Sequence, residues 1–100
     1  MEVICELMRL KPERVKDYVD LHDHTWPELV EAIRDCGFLE EHIYLQDNLV
    51  MVVMKCEDFQ DSVRRLVSTP VYKRWTTLVR SMLIEDKIVD LSPIWDLSKL

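Results

Sequence analysis

From residue 2 to residue 10 the chain is rich in β-formers, with Val3, Ile4, Cys5, Leu7, Met8 and Leu10 interrupted only by Glu6 and Arg9. That pattern predicts a strand. Lys11-Pro12-Glu13 opens a helix, with Pro12 near the first helical position, where a missing N–H costs nothing. Val15, Tyr18, Val19, His22, Trp26, Leu29, Val30 and Ile33 then recur at steps of three and four, tracing one helical face. Pro27 interrupts this stripe, so a kink or short break is expected around Thr25–Trp26, with a restart at Pro27. Gly37, the only glycine, falls where a helix ends on a residue with positive φ.

Residues 38–46 read as a second strand centred on His42, Ile43, Tyr44 and Leu45. The polar turn Gln46-Asp47-Asn48 pairs it as a hairpin with Leu49-Val50-Met51-Val52-Val53-Met54, which is apolar at every position. A strand with one wet face should alternate, so this one is expected to be central and covered on both sides. Glu57-Asp58 caps a helix carrying Phe59, Val63, Leu66 and Val67. Ser68-Thr69-Pro70 ends it and starts another, with Val71, Trp75, Leu78, Val79 and Met82 as its stripe. A weaker strand signal lies at 86–91, and the tail Ser92-Pro93-Ile94-Trp95 follows.

The order is β-α-β-β-α-β, an α+β ferredoxin-like arrangement with an antiparallel sheet. Right-handed crossovers place the helices on one face. The opposite face then needs a cover, and a second copy packed sheet against sheet supplies it, which predicts a two-fold homodimer. One domain over residues 1–100 is expected from the length, with no repeat and no linker.

Composition narrows the partners. With 13 basic and 19 acidic residues the net charge is −6, and no basic cluster exists. Nucleic acid and anionic membrane surfaces are therefore poor partners. Cys5, Cys36 and Cys56 are odd in number, lack a CxxC and sit among apolar neighbours, as reduced buried thiols would. The N-terminus carries glutamates where a secretory leader is positive, and the longest apolar run, Leu49 to Met54, is too short to span a bilayer. A soluble cytoplasmic protein is expected.

The chemistry concentrates between Tyr18 and Leu29. On a helix, Tyr18, His22 and Trp26 stand one turn apart, so a phenol, an imidazole and an indole share one face. Such a face offers proton transfer near neutral pH beside an aromatic wall, although a core histidine in an aromatic stripe has the same spacing. His22, Asp23 and His24 do not make a metal site, because i and i+2 on a helix point to different sides. One glycine cannot build a phosphate loop, and no cysteine has an obvious neighbouring base, so neither a nucleotide cofactor nor covalent catalysis is expected. Trp26, Trp75 and Trp95 suit core or interface packing singly; together with Tyr18 and His22 they also describe a sugar site.

Tyr18, His22 and then Trp26-Pro27-Glu28-Leu29, supported by Lys11-Pro12, Gly37, Ile43-Tyr44-Leu45 and Arg74-Trp75, resemble the L-rhamnose mutarotase family over nearly the whole chain. The resemblance implies a cofactor-free dimer of the dimeric α/β-barrel type that interconverts the α and β anomers of a 6-deoxy-hexose. By the same resemblance His22 is the catalytic acid/base, Tyr18 contacts the monosaccharide and Trp75 stacks on it. Two positions depart from the family pattern. Glu41 stands where a tyrosine is usual, and Trp75-Thr76 replaces a Trp-Trp pair, so Glu41 and Thr76 become candidate sugar contacts alongside His42. L-fucose is the alternative sugar. A non-catalytic binding module on the same barrel is the alternative class, and a cofactor-free monooxygenase is a weaker one.

Overall fold

The two proline-containing crossovers each break into a pair of short helices, and this sets the shape of the layer above the sheet. In a computed structural model describing residues 1–100, the order is β1 (Glu2–Leu10), α1 (Val15–Asp23), α2 (Pro27–Asp35), β2 (Phe38–Gln46), β3 (Leu49–Cys56), α3 (Phe59–Val67), α4 (Pro70–Arg80) and β4 (Leu83–Leu91). Single 3₁₀ turns at Pro12–Arg14 and Leu97–Lys99 precede α1 and close the chain. Helix α1 stops at Asp23, because a continuous helix through Pro27 would lose a hydrogen bond and meet the ring sterically. Pro27 then opens α2, where no N–H is required. Asp58 caps α3 by accepting from the Asp61 amide at 3.1 Å, and Thr69 with Pro70 starts α4.

The antiparallel sheet has the order β2-β3-β1-β4, the ferredoxin-like arrangement. Val50, Val52, Met54 and Cys56 point toward the helices and are buried there with Met8 and Leu10. Strand β3 is central, as its apolar run predicts. It is not covered on both sides within the chain: Leu49, Met51, Val53 and Lys55 alternate with the buried set and stay half-buried. The sheet period, not the uniform apolarity, decides each residue's exposure. Cys5 lies on this open face and is only half-buried, whereas Cys36 and Cys56 are buried; all three are free thiols.

Two other expectations need correction. Strand β4 begins at Leu83 instead of residue 86; Glu85 and Asp86 adopt φ of 57° and 49°, and the pairing with β1 slips between Met8 and Leu10. That bulge hides the strand's start from an alternation pattern. Val19 is exposed, and Leu21 takes a place against the core. The helix layer is tied to itself by two arginines. Arg65 of α3 donates to the carbonyls of Asp35 and Cys36 at 3.3 and 2.8 Å, placing a cation on the C-terminus of α2. Arg74 of α4 pairs with Glu28 of α2 at 2.9 Å.

Gly37 ends α2 with φ of 98°, and a Cβ there would stand 2.9 Å from Ser62 Oγ and 3.1 Å from an Arg65 guanidinium nitrogen. Gly37→Ala should therefore lower stability by about 1–3 kcal/mol in urea unfolding, the cost of a left-handed non-glycine residue without relief nearby. A loss below about 0.5 kcal/mol would mean that α3 moves aside freely.

Candidate active site

Helices α1, α3 and α4 stand over the sheet and leave a cleft of about 350 Å³ lined by residues of all four strands, within the range of small-molecule sites. A second hollow of about 300 Å³ adjoins it and shares His22, Glu41, Ile43 and Trp75. Tyr18, His22, Glu41, Trp75 and Thr76, all singled out from the sequence, line the cleft together.

His22 occupies the last turn of α1, half-buried. Its Nδ1 lies 2.8 Å from the Tyr18 carbonyl oxygen. A carbonyl only accepts, so Nδ1 carries the hydrogen and the neutral ring keeps its lone pair on Nε2. Burial lowers the imidazole's pKa below its ordinary value, against the opposing effects of the Tyr18 carbonyl and the Asp23 charge. At neutral pH the ring is a free base. Its position is held by aromatic contacts, with the Tyr18 ring centroid 4.3 Å away and Trp75 meeting it edge-on at 5.1 Å.

Trp75 is buried, packed on Leu29 and Val71, and meets Trp26 edge-on at 5.0 Å. Trp26 is not on the same helix as His22, since the break precedes it; it caps α2 and reaches the cluster from that side. Tyr18 is 4% exposed, and burial, with the Glu41 charge, raises its pKa so that the phenol keeps its proton. Thr76 donates its hydroxyl to the Tyr72 carbonyl at 2.7 Å, leaving the oxygen able to accept from a ligand. Glu41 projects from the helix-facing side of β2; the open cleft lets water reach it, yet the surrounding protein raises its pKa by burial alone.

Other residues fall elsewhere. His42 points to the helix-free side, 3.2 Å from Glu40, so the parity of β2 removes it from the sugar contacts expected of it. His24 is exposed with its Nδ1 at 3.0 Å from the Asp20 carbonyl oxygen. Trp95 is 67% exposed and lies beside Met1–Cys5, away from the cleft. No group of three acidic, histidine or cysteine side chains gathers in a way that would hold a metal.

The cleft also contains Glu6, Asp90, Tyr72 and Arg80, which carry no motif. Glu6 had a signal of its own, as the one charged residue between Val3 and Met8. Its carboxyl is pushed up to about 7, first by burial, then by a hydrogen bond to Asp90 and the charges of Asp90 and Glu41, with Arg80 opposing.

The chain is similar in sequence and fold to known proteins. The L-rhamnose mutarotase family model covers residues 3–97. An L-rhamnose mutarotase of Burkholderia orbicola (strain MC0-3) is 33% identical over 86 residues, covering 83% of this chain and 81% of that protein. Among solved structures, the L-rhamnose mutarotase FA22100 of Formosa agariphila superposes with a TM-score of 0.77 at 20% identity, over 97% of this chain and 99% of the other. An antibiotic biosynthesis monooxygenase superposes at 0.69 with 17% identity, over 94% and 99%, a likeness of fold. By sequence over nearly its full length, and with the Tyr18, His22 and Trp75 side chains brought to one cleft, the chain belongs to the L-rhamnose mutarotase family.

Proposed function

We propose that this chain interconverts the α and β anomers of L-rhamnose or a closely related 6-deoxy-hexose, with His22 as an acid/base residue and Tyr18, Glu41, Trp75 and Thr76 as sugar contacts. The observation that carries the reading is the neutral, oriented imidazole of His22 beside an indole in a sugar-sized cleft. Anomers exchange by opening the ring: a base takes the proton of the anomeric hydroxyl, an acid protonates the ring oxygen, and the C1–O5 bond breaks. Rotation about C1–C2 and closure on the other face reverse these transfers. Every step is a proton transfer or the making and breaking of one C–O bond, so the chemistry requires no electron or group carrier.

Nε2 of His22 is the base for the anomeric hydroxyl. The Trp75 ring offers an apolar surface for the sugar's C–H face, and the protonated Tyr18 hydroxyl donates to a sugar oxygen. Glu41 and Thr76, replacing aromatic residues, add acceptors for hydroxyl groups, so this pocket holds its sugar more by hydrogen bonds and less by stacking. The three free thiols fit a reducing cytoplasm. A second copy covers the helix-free face, where Val3, Leu7, Met51, Val53, Tyr44, Val89 and Leu91 are half-buried or exposed.

Saturation-transfer NMR on the anomeric protons of L-rhamnose and L-fucose, run in parallel, tests the activity. Exchange should appear with protein and drop by about 10²–10⁴-fold in His22→Ala, the usual contribution of a positioned acid or base. Undiminished exchange in a folded His22→Ala would remove its role. Light scattering should give twice the 12.0 kDa chain mass, and Val53→Asp should shift it to the single-chain mass. A wild-type monomer would remove the dimer.

A further inference from the structure

Two carboxyl groups stand side by side on the sheet wall of the cleft. Glu6 of β1 lies directly opposite Asp90 of β4 in the register, on the helix-facing side, and both side chains line the cleft. Like charges directly opposite in a sheet are destabilising, whereas a carboxyl that keeps its proton can donate to a carboxylate beside it. One proton held between them relieves that repulsion. No cation makes a hydrogen bond with either group, and the arginine lining the same cleft, Arg80, is engaged with Asp86 at 2.8 Å. His22 borders this cleft from the helix layer, so a bound ring has an imidazole on one side and a carboxyl pair on the sheet.

We propose that Glu6 and Asp90 form a proton-sharing acid pair that works with His22 from the sheet side of the cleft, giving its proton to the ring oxygen while His22 takes the proton of the anomeric hydroxyl. The proposal rests on the mutarotase reading and adds the acid which that reading leaves unassigned. In opening, the O1–H proton moves to His22 Nε2, the C1–O5 bond breaks, and the pair's proton moves to O5. The product is an open-chain aldehyde with a 5-hydroxyl, a histidinium and a doubly ionised pair. In closing, O5 attacks the other face of C1, its proton returns to the pair, and His22 returns its proton to O1. Nothing is consumed.

The groups facing the pair are Glu41 from β2, Tyr18 and His22 from α1, and Tyr72 and Arg80 from α4. Burial, Asp90 and Glu41 hold Glu6 at about 7, while burial holds His22 below its ordinary value. Acid and base are thus both in the working state over a window just below neutrality. Asp90 remains exposed, so the pair exchanges protons with water between turnovers.

The test combines the pH dependence of anomer exchange with a carboxyl ¹³C titration of glutamate-labelled protein, for wild type, Glu6→Gln, Asp90→Asn and His22→Ala. Wild type should lose activity on the alkaline side as Glu6 ionises near 7, and one glutamate should titrate there. Glu6→Gln should slow exchange by about 10²-fold, abolish that alkaline limb and remove the titrating signal, with sugar affinity changed less than about threefold. Asp90→Asn removes a like charge and should move the limb to lower pH, a shift a merely structural role would not produce. The idea is overturned if every glutamate titrates near its ordinary value of about 4.3, a result independent of activity. It is also overturned if Glu6→Gln stays within about threefold of wild type while His22→Ala is inactive, which leaves the mutarotase standing without the pair. Absence of exchange in wild type with either sugar would overturn both readings.

Discussion

An antiparallel strand sends alternate residues to opposite faces, and this two-residue period is the constraint on which the molecule depends. It puts Val50, Val52 and Met54 under the helices and, in the same set of rows, Glu6, Glu41 and Asp90. The apolar members bind the helix layer to the sheet. The acidic members fall where the helices stand away from it, and their carboxyls line a hollow instead of meeting a packed core. A single shift of register would exchange Glu6 for Cys5 or Leu7 on the inner wall and leave the core-facing rows wrong at the same time. The core therefore fixes the position of the carboxyls with the same certainty as its own apolar residues.

The helix layer supplies the other half. Because α1 ends at the break before Pro27, its last turn presents His22 to the cleft while the chain turns away. Trp26, freed from that helix, braces Trp75 from the side, and Trp75 in turn meets His22. The Arg74–Glu28 pair spans α4 and α2 at the surface. Exposed ion pairs contribute little stability, so the apolar contact of Leu29, Val71 and Trp75 holds the two helices together and the ion pair orients them.

What the sequence made legible follows from the range of each interaction. Tyr18 and His22 lie within one helix, and the break at Pro27 and the turn at Gly37 are local events written in proline and glycine. The element order and the helices' place on one face of an antiparallel sheet followed from the pattern of elements and the handedness of crossovers. The Glu6–Asp90 neighbourhood was not legible, since it depends on a register between strands at opposite ends of the chain, shifted by a bulge whose residues give no alternation signal. His42 was misplaced for a related reason: proximity to Glu41 in sequence guarantees opposite faces in a strand. The uniform apolarity of β3 pointed correctly to its central place, yet it concealed which residues the chain itself buries.

The two faces of β3 and β1 carry different duties on the same eight or nine residues. Even-numbered positions face the helices and the cleft; odd-numbered positions face outward. A substitution at an even position can alter what the pocket admits without touching the outer face, and the reverse holds for odd positions. The lining of the cleft and the make-up of the sheet's back can thus drift separately through evolution, one by even steps and the other by odd, although every residue of each set has a neighbour from the other on either side.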